Sequence, residues 1–205
     1  MLSSITPLGE RGRANRWWLT VTAYITASAV GGAGVGSVLG GFGEVLLRSL
    51  PGDLVSTRLR LMVLVGLSAA GLAADLGVAG ARIPSIRRQV DEQWIGRYRG
   101  WVYGAGYGFQ LGAGFATIVT SAATWVALAT MILTGAWSGG LVLGVVFGTV
   151  RALPVLLTAP VRSPLALRNL HLRNQRWATT AGRIGIAGQA LVLGAASLLA
   201  ITVTT

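Results

Sequence analysis

The uncharged stretch from Gly100 to Val150, GWVYGAGYGFQLGAGFATIVTSAATWVALATMILTGAWSGGLVLGVVFGTV, decides the fold class of this chain. It contains 51 consecutive residues without an acidic or basic side chain. As one α-helix it would be about 75 Å long, whereas the hydrocarbon core of a bilayer is about 30 Å thick. The stretch must therefore cross a membrane twice. Small turn-forming residues cluster at 134–140, which predicts spans at 101–133 and 140–160.

Three further apolar segments are long enough to cross a bilayer, which takes about 20 helical residues. Residues 17–43 carry no charge, residues 61–81 carry only Asp75, and residues 184–205 carry none. The chain is therefore predicted to be all-α, a single integral membrane domain over 1–205 that forms a polytopic transmembrane bundle of about five spans.

The first apolar segment has a second interpretation, a cleaved secretory signal. Arg11, Arg13 and Arg16 precede it, and Ala27-Ser28-Ala29 fits a small-residue cleavage site. The apolar run continues past that site to Gly43, whereas the sequence after a signal is normally polar. We therefore expect the segment to be retained as a helix.

The charge distribution indicates a membrane partner. A mean hydropathy of +0.65 and only 11% charged residues exclude an ordinary soluble domain. All 17 basic residues are arginines, which with six acids give a net charge of +11. They lie in short segments between the apolar runs, as the positive-inside rule requires, so the expected partner is anionic lipid head groups and not nucleic acid.

The same arginines predict the orientation. Most of them lie in the N-terminal tail and in the segments 82–99 and 162–183. The N-terminus is therefore predicted to be cytoplasmic, in a bacterial plasma membrane, with the C-terminus outside. The 48–60 loop would be external in this topology, yet it carries Arg48, Arg58 and Arg60 against Asp53, which weakens the charge asymmetry.

The residues needed for common catalytic and metal chemistry are missing from the sequence. There is no cysteine, which excludes disulfides and thiolate sites, and His171 is the single histidine. No Ser-His-Asp set or close carboxylate pair occurs. We predict no enzyme activity, no cofactor and no metal.

An internal repeat is one interpretation of the chain. Arg82-Ile83-Pro84-Ser85 resembles Arg162-Ser163-Pro164-Leu165, and each leads through arginines to a tryptophan. This favours a parallel repeat of two spans, with Asp75 and Arg151 in the second span of each unit. The alternative is that any two-span segment carries Arg and Trp at its edges.

Between spans two and three, apolar residues occur at three- and four-residue intervals from Ile83 to Trp94, with charged residues between them. This pattern favours a helix on the cytoplasmic surface. The alternative is an irregular charged loop, because Pro84 and Gly96 leave barely three turns.

Glycines recur every fourth residue in three spans. In lipid, helices associate by close approach through small residues, so we predict packing faces there. The alternative is that the glycine-dense centres of spans one and three unwind around a solute path. The glycines are Gly32, Gly36 and Gly40 in span one, Gly104, Gly108 and Gly112 in span three, and Gly140, Gly144 and Gly148 in span four.

Two charged side chains fall inside the predicted spans. Charge is costly in hydrocarbon, so Asp75 and Arg151 are the leading transport or gating candidates, and a pair between spans two and four would offset the cost. The alternative is that Asp75 lies near the interface and Arg151 extends toward it. Gln110 and Glu44 are further candidates.

Two functions fit these features. The first is a small solute permease or exporter, or its membrane subunit, with a path between spans one, three and four. The second is a non-transporting membrane subunit or assembly partner of a larger complex, which would dock through glycine faces and arginine-rich segments. A homo-oligomer or a membrane protein partner is expected in either case.

The stretch from Gly104-Ala105-Gly106-Tyr107-Gly108-Phe109 to Ala152-Leu153-Pro154-Val155-Leu156-Leu157 resembles the second half of the thiol-disulfide electron transporters of cytochrome c biogenesis. In that family a glycine-rich span with a Cys-Pro break precedes a short turn and a span ending near Ala-Leu-Pro. The resemblance implies a related fold only, because the cysteines of the relay are missing here. Residues 99–104 are also similar to uncharacterised exporter-like actinobacterial membrane proteins.

Overall fold

A computed structural model of the chain describes residues 5–52, 56–78, 93–114 and 121–202. All regular structure in these ranges is helical, which confirms the predicted fold class. The helices are α1 (Pro7–Gly12), α2 (Trp17–Ser49), α3 (Thr57–Asp75), α4 (Trp94–Arg97), α5 (Gly100–Gly112), α6 (Ala123–Leu133), α7 (Trp137–Ala152) and α8 (Pro164–Thr202), with a 3₁₀ segment at Leu153–Thr158.

The described helices account for about five membrane spans. Four long apolar helices each form one span. α5 and α6 together form the fifth, because they lie one after the other along α2: Gly112 contacts Ser28, and Ile132 contacts Gly43. The chain is therefore a membrane protein with about five spans. The four helices long and apolar enough to cross alone are Trp17–Ser49, Thr57–Asp75, Trp137–Thr158 and Thr180–Thr202.

The central element of the bundle is α2, a helix of 33 residues and about 50 Å. It has no charge before Glu44, so the hydrocarbon core, about 30 Å thick, can be crossed entirely by its uncharged part. It packs against α5 in parallel and against α7 in antiparallel orientation. Its glycine-dense centre is helical throughout, so the unwinding considered for span one does not occur.

The observed helix ends differ from the predicted spans for local reasons. Span two was predicted to reach residue 81, but α3 ends at Asp75 because Gly77 adopts a left-handed backbone, φ +72°. The α-helical part of span four ends at Ala152, since Pro154 supplies no backbone N–H. The surface helix predicted from Ile83 to Trp94 lies outside the described residues except for Gln93 and Trp94, and α4 begins at Trp94.

The last helix is longer than the span predicted at 184–205. α8 has 39 residues, and its arginine-rich first half continues without a break into the apolar segment 180–202. The N-terminal segment lies at the same end of the bundle as the start of α8, because Leu8 donates a backbone hydrogen bond to the Val161 carbonyl (3.1 Å). The two arginine-rich segments therefore share one end of the molecule.

Candidate functional site at the break in the third span

The third span is broken in the middle. α5 ends at Gly112, α6 begins at Ala123, and Gly114 between them has φ +78°, a conformation that glycine adopts without strain. A helix break leaves carbonyl groups at the end of the first half and N–H groups at the start of the second without intrahelical partners. Within a membrane those groups need partners from the protein.

Asp75 supplies the partners for the start of α6. Its Oδ1 accepts a hydrogen bond from the Ala122 backbone N–H (2.8 Å), and its Oδ2 accepts one from the Ser121 hydroxyl (2.7 Å). Ser121 Oγ in turn accepts from the Ala123 N–H (3.1 Å). Because a helix N-terminus carries partial positive charge, the carboxylate stabilises α6 electrostatically as well.

Gln189 on α8 completes the group around this carboxylate. Its Nε2 donates to Asp75 Oδ2 (2.8 Å), so one carboxylate connects α3, the start of α6 and α8. Sequence analysis did not identify Gln189 as a candidate. The signal that could have identified it is its polar amide within the otherwise apolar segment between Arg183 and Ser197.

Arg151 on α7 contacts the backbone at the end of α5, on the other side of the break. Its guanidinium donates to the Gly114 carbonyl oxygen (3.3 Å) and lies 5.2 Å from the centre of the Phe147 ring. A cation is favourable at the carbonyl end of a helix, here α5. In the described structure Asp75 and Arg151 do not form the expected pair; each charge compensates one side of the break.

The two other candidates lie elsewhere. Glu44 forms an ion pair with Arg48 one turn later, at the exposed end of α2. Such surface pairs contribute little to stability. Gln110 is half-buried on α5 and takes no part in the hydrogen bonds described around Asp75 and Arg151.

All nine glycines singled out by spacing lie at helix contacts. A Cβ atom at Gly36 would lie 2.1 Å from the Gly140 carbonyl oxygen, and one at Gly108 would lie 2.0 Å from that of Tyr24. Real Cβ contacts are essentially never shorter than 3.0 Å. Backbone therefore touches backbone along both faces of α2, a geometry available to glycine alone. The other seven make equivalent contacts: Gly32, Gly40, Gly104, Gly112, Gly140, Gly144 and Gly148.

A second polar cluster covers the N-terminal end of the bundle. Glu10 is fully buried and accepts hydrogen bonds from the Tyr103 hydroxyl, the Thr20 hydroxyl (2.9 Å) and the Arg13 guanidinium (2.8 Å). Burial lowers the pKa of Arg13, but the hydrogen bond and charge of Glu10 outweigh it and raise that pKa above its usual value. No sequence pattern identified this cluster, because Thr20 and Tyr103 are distant from Glu10 along the chain.

Glu10→Gln is expected to lower the free energy of unfolding by about 2–3 kcal/mol, because it removes the negative charge that pairs with Arg13 and replaces the oxygen that accepts from Thr20 by an N–H₂ group. Thermal unfolding in mild detergent measures the effect. Glu44→Gln is the matched control, since it removes an acid from a solvent-exposed pair and should change stability by less than about 0.5 kcal/mol. Equal melting temperatures for the two variants would contradict the structural role of Glu10.

Comparison with known proteins gives one group of relatives. Each is called methylamine utilization protein MauF. The protein of Paracoccus versutus is 28% identical over 181 residues, which is 88% of this chain and 65% of that protein. That of Methylophilus methylotrophus is 28% identical over 159 residues, 75% of this chain and 53% of that protein. That of Paracoccus denitrificans is 30% identical over 159 residues, 77% and 56% respectively.

The chain thus spans between about half and two thirds of the length of these relatives. No protein-family model matches the chain. No solved structure matches it either. The chain is similar to the MauF proteins over most of its own length.

Proposed function

We propose that this chain is a non-transporting membrane subunit that assembles with another protein in bacterial methylamine utilization. The metabolic context comes from the relatives, which are named for methylamine utilization. The observation that carries the non-transporting role is the direct backbone contact among α2, α5 and α7. The permease predicted from the sequence has its path between these three spans, and the glycine contacts fill that space.

The broken span also fits a static role. In many transporters a broken helix exposes backbone dipoles to a solute. Here Asp75 and Arg151 engage those dipoles with 2.8 Å and 3.3 Å hydrogen bonds. Charges used in this way stabilise one arrangement of the helices and support a rigid scaffold.

The partner-binding surface is proposed to be the first half of α8. This part of the helix precedes the apolar segment 180–202 and carries exposed arginines together with exposed apolar side chains. Arg173 lies over the Trp177 ring, 5.2 Å from its centre, so the surface offers both charge and an aromatic anchor. Such a surface suits a partner with acidic and apolar groups, on the cytoplasmic side in the proposed orientation.

Deletion of the gene in its native host is expected to impair growth on methylamine as nitrogen source while growth on ammonium and uptake of labelled methylamine stay normal. The tagged chain, extracted in mild detergent, is expected to retain a partner protein in stoichiometric amount. A homogeneous homo-oligomer that conducts methylamine into proteoliposomes would overturn the proposal in favour of a permease.

Replacing Arg168, Arg173 and Arg176 together by Gln is expected to reduce recovery of that partner about tenfold or more, since each exposed charge contributes to the interface. The membrane bundle should keep its melting temperature, because these side chains are exposed. Arg48→Gln, at the opposite end of the bundle, is the control. Unchanged recovery with the triple variant would exclude α8 as the docking surface.

A further inference from the structure

A cavity of about 700 Å³ lies between α3, α6, α7 and α8, beside the start of α6. Its size falls within the range of about 300–1,000 Å³ typical of small-molecule sites. Most of its wall is apolar, with side chains such as Leu143 and Phe147 on α7 and Val192 on α8. Gly188 and Val192 in this wall are exposed, within a helix long and apolar enough to cross a membrane. The cavity therefore opens to the surrounding lipid.

Two residues of the wall have polar atoms without a partner in the described part of the chain, the Ser68 hydroxyl and the Gln189 Oε1 oxygen. Ser68 is 1% exposed and Gln189 is 6% exposed. Gln189 Nε2 donates to the Asp75 carboxylate (2.8 Å). Because a carboxylate only accepts, the amide is fixed with its N–H₂ group toward Asp75, and Oε1 stays an acceptor. A ligand that satisfies Gln189 must therefore be a hydrogen-bond donor.

Ordered water does not account for this arrangement. A water molecule takes up only about 30 Å³ and needs about two to four polar partners, whereas most of this wall is apolar. Empty space is also unfavourable, since the side chains around it lose their packing contacts. A ligand with an apolar body and two polar groups satisfies the wall and both polar residues together.

The depth of the two polar residues in the membrane specifies a ligand without charge. Gln189 lies near the middle of the span Thr180–Thr202, and Ser68 lies near the middle of α3. The centre of a bilayer is about 15 Å from either surface of the hydrocarbon. Charged lipid head groups stay at that surface, because charge in hydrocarbon is costly. The ligand is therefore a neutral molecule whose polar group enters the hydrocarbon.

The spacing of the two polar residues suits two hydroxyls on opposite sides of one ring. Ser68 lies seven residues before Asp75 on α3, which is a rise of about 10 Å. The Gln189 amide is bound to Asp75, so it lies about that far from Ser68 along the helix. The hydroxyl oxygens of a 1,4-hydroquinone are about 5.5 Å apart, and a hydrogen bond of about 2.8 Å at each end extends this to about 11 Å.

We propose that this cavity binds the head of a membrane-soluble isoprenoid hydroquinone. One ring hydroxyl donates to Gln189 Oε1, and the other accepts from Ser68. The ring packs against the apolar wall beside Phe147, and the tail extends between the helices into lipid. The oxidised quinone binds less well, because its carbonyls cannot donate to Gln189. This inference goes beyond the proposed function and holds whether or not the chain assembles with a partner.

Binding is tested with the delipidated full chain in mild detergent, titrated without oxygen with decylhydroquinone, decylquinone and the dimethyl ether of decylhydroquinone. By native mass spectrometry we expect one hydroquinone per chain, together with a melting temperature that rises with its concentration. The quinone and the ether lack the hydroxyl donors, so each is expected to bind at least about tenfold more weakly. Binding of either analogue equal to that of the hydroquinone would overturn the proposal. No binding of the hydroquinone would also overturn it, in favour of ordered water around the two polar atoms.

Ser68→Ala tests one of the two hydrogen bonds. The hydroxyl that it removes has no described partner, so the melting temperature without ligand should be unchanged or higher. Binding of decylhydroquinone should be about threefold to tenfold weaker. Unchanged binding by this variant would contradict the proposed position of the ring.

Gly188→Leu tests the cavity itself. Gly188 lies in the wall, and a Cβ atom there meets nothing within 4 Å, so the new side chain enters open space. Leucine also has the higher helix propensity, so the variant should keep its melting temperature but bind decylhydroquinone at least about tenfold more weakly. Gly194→Leu is the matched control, since Gly194 on the same helix is equally open but outside the cavity wall. Full binding by Gly188→Leu would exclude this cavity.

Discussion

Gly36→Ala is expected to lower the free energy of unfolding by about 3 kcal/mol or more, and to remove most folded protein from a detergent extract. The added Cβ would lie 2.1 Å from the Gly140 carbonyl oxygen, and the obstructing atom is backbone and not a flexible side chain. Relief would require α2 and α7 to separate along their length, which would break the neighbouring contacts at Gly32 and Gly40 as well. Size-exclusion chromatography and thermal unfolding in mild detergent measure the effect.

Gly34→Ala is the matched control on the same helix. A Cβ atom there meets nothing within 4 Å, and Gly34 is exposed. Since alanine has the higher helix propensity, this variant should be neutral or more stable by up to about 1 kcal/mol. If Gly36→Ala behaved like Gly34→Ala, the close backbone contact between α2 and α7 could not exist.

The glycine contacts illustrate what sequence can predict. A four-residue repeat places residues on one helix face, and in lipid only small residues allow close approach, so spacing alone pointed to these positions. Contacts without that spacing were missed. A Cβ at Gly31 would lie 2.4 Å from the Phe109 carbonyl oxygen, and one at Gly43 would lie 1.9 Å from that of Ile132.

For the charged residues, the sequence did not predict the contacts that they make. The cost of charge in hydrocarbon singled out Asp75 and Arg151, but it did not say which groups compensate their charges. The partners are the Gly114 carbonyl and the Ala122 N–H on either side of the break, together with two side chains. Those side chains are Ser121 and Gln189, and Gln189 comes close only when the chain folds. Glu10 was missed because it lies outside the predicted spans, where a charge is not unusual. Its importance depends on the contact with Tyr103, which only the folded structure shows.

The broken span contacts both units of the predicted repeat. Asp75 lies at the end of the second span of one unit, and Arg151 lies in the second span of the other. Their side chains bind backbone groups on opposite sides of the same break. The first spans of the units differ, because α2 is continuous and its counterpart is divided into α5 and α6. The repeat itself stays a prediction, as does the likeness to the thiol-disulfide electron transporters.

Asp75→Ala is expected to lower the free energy of unfolding by about 3–5 kcal/mol, because it leaves several buried donors without their charged acceptor. Those donors are the Ala122 N–H, the Ser121 hydroxyl and the Gln189 amide, at 2.7–2.8 Å from the carboxylate. The loss should be concentrated at the start of α6. Hydrogen exchange in detergent is therefore expected to accelerate most in peptides that begin at Ser121.

Two further variants separate the charge from the hydrogen bonds. Asp75→Asn keeps one acceptor oxygen but loses the negative charge at the N-terminus of α6, so an intermediate loss is expected. Glu44→Ala removes a carboxylate whose partner Arg48 is exposed, and it should change stability by less than about 1 kcal/mol. If Asp75→Ala unfolded at the temperature of Glu44→Ala, with unchanged exchange at the start of α6, the carboxylate would not be what stabilises the broken span.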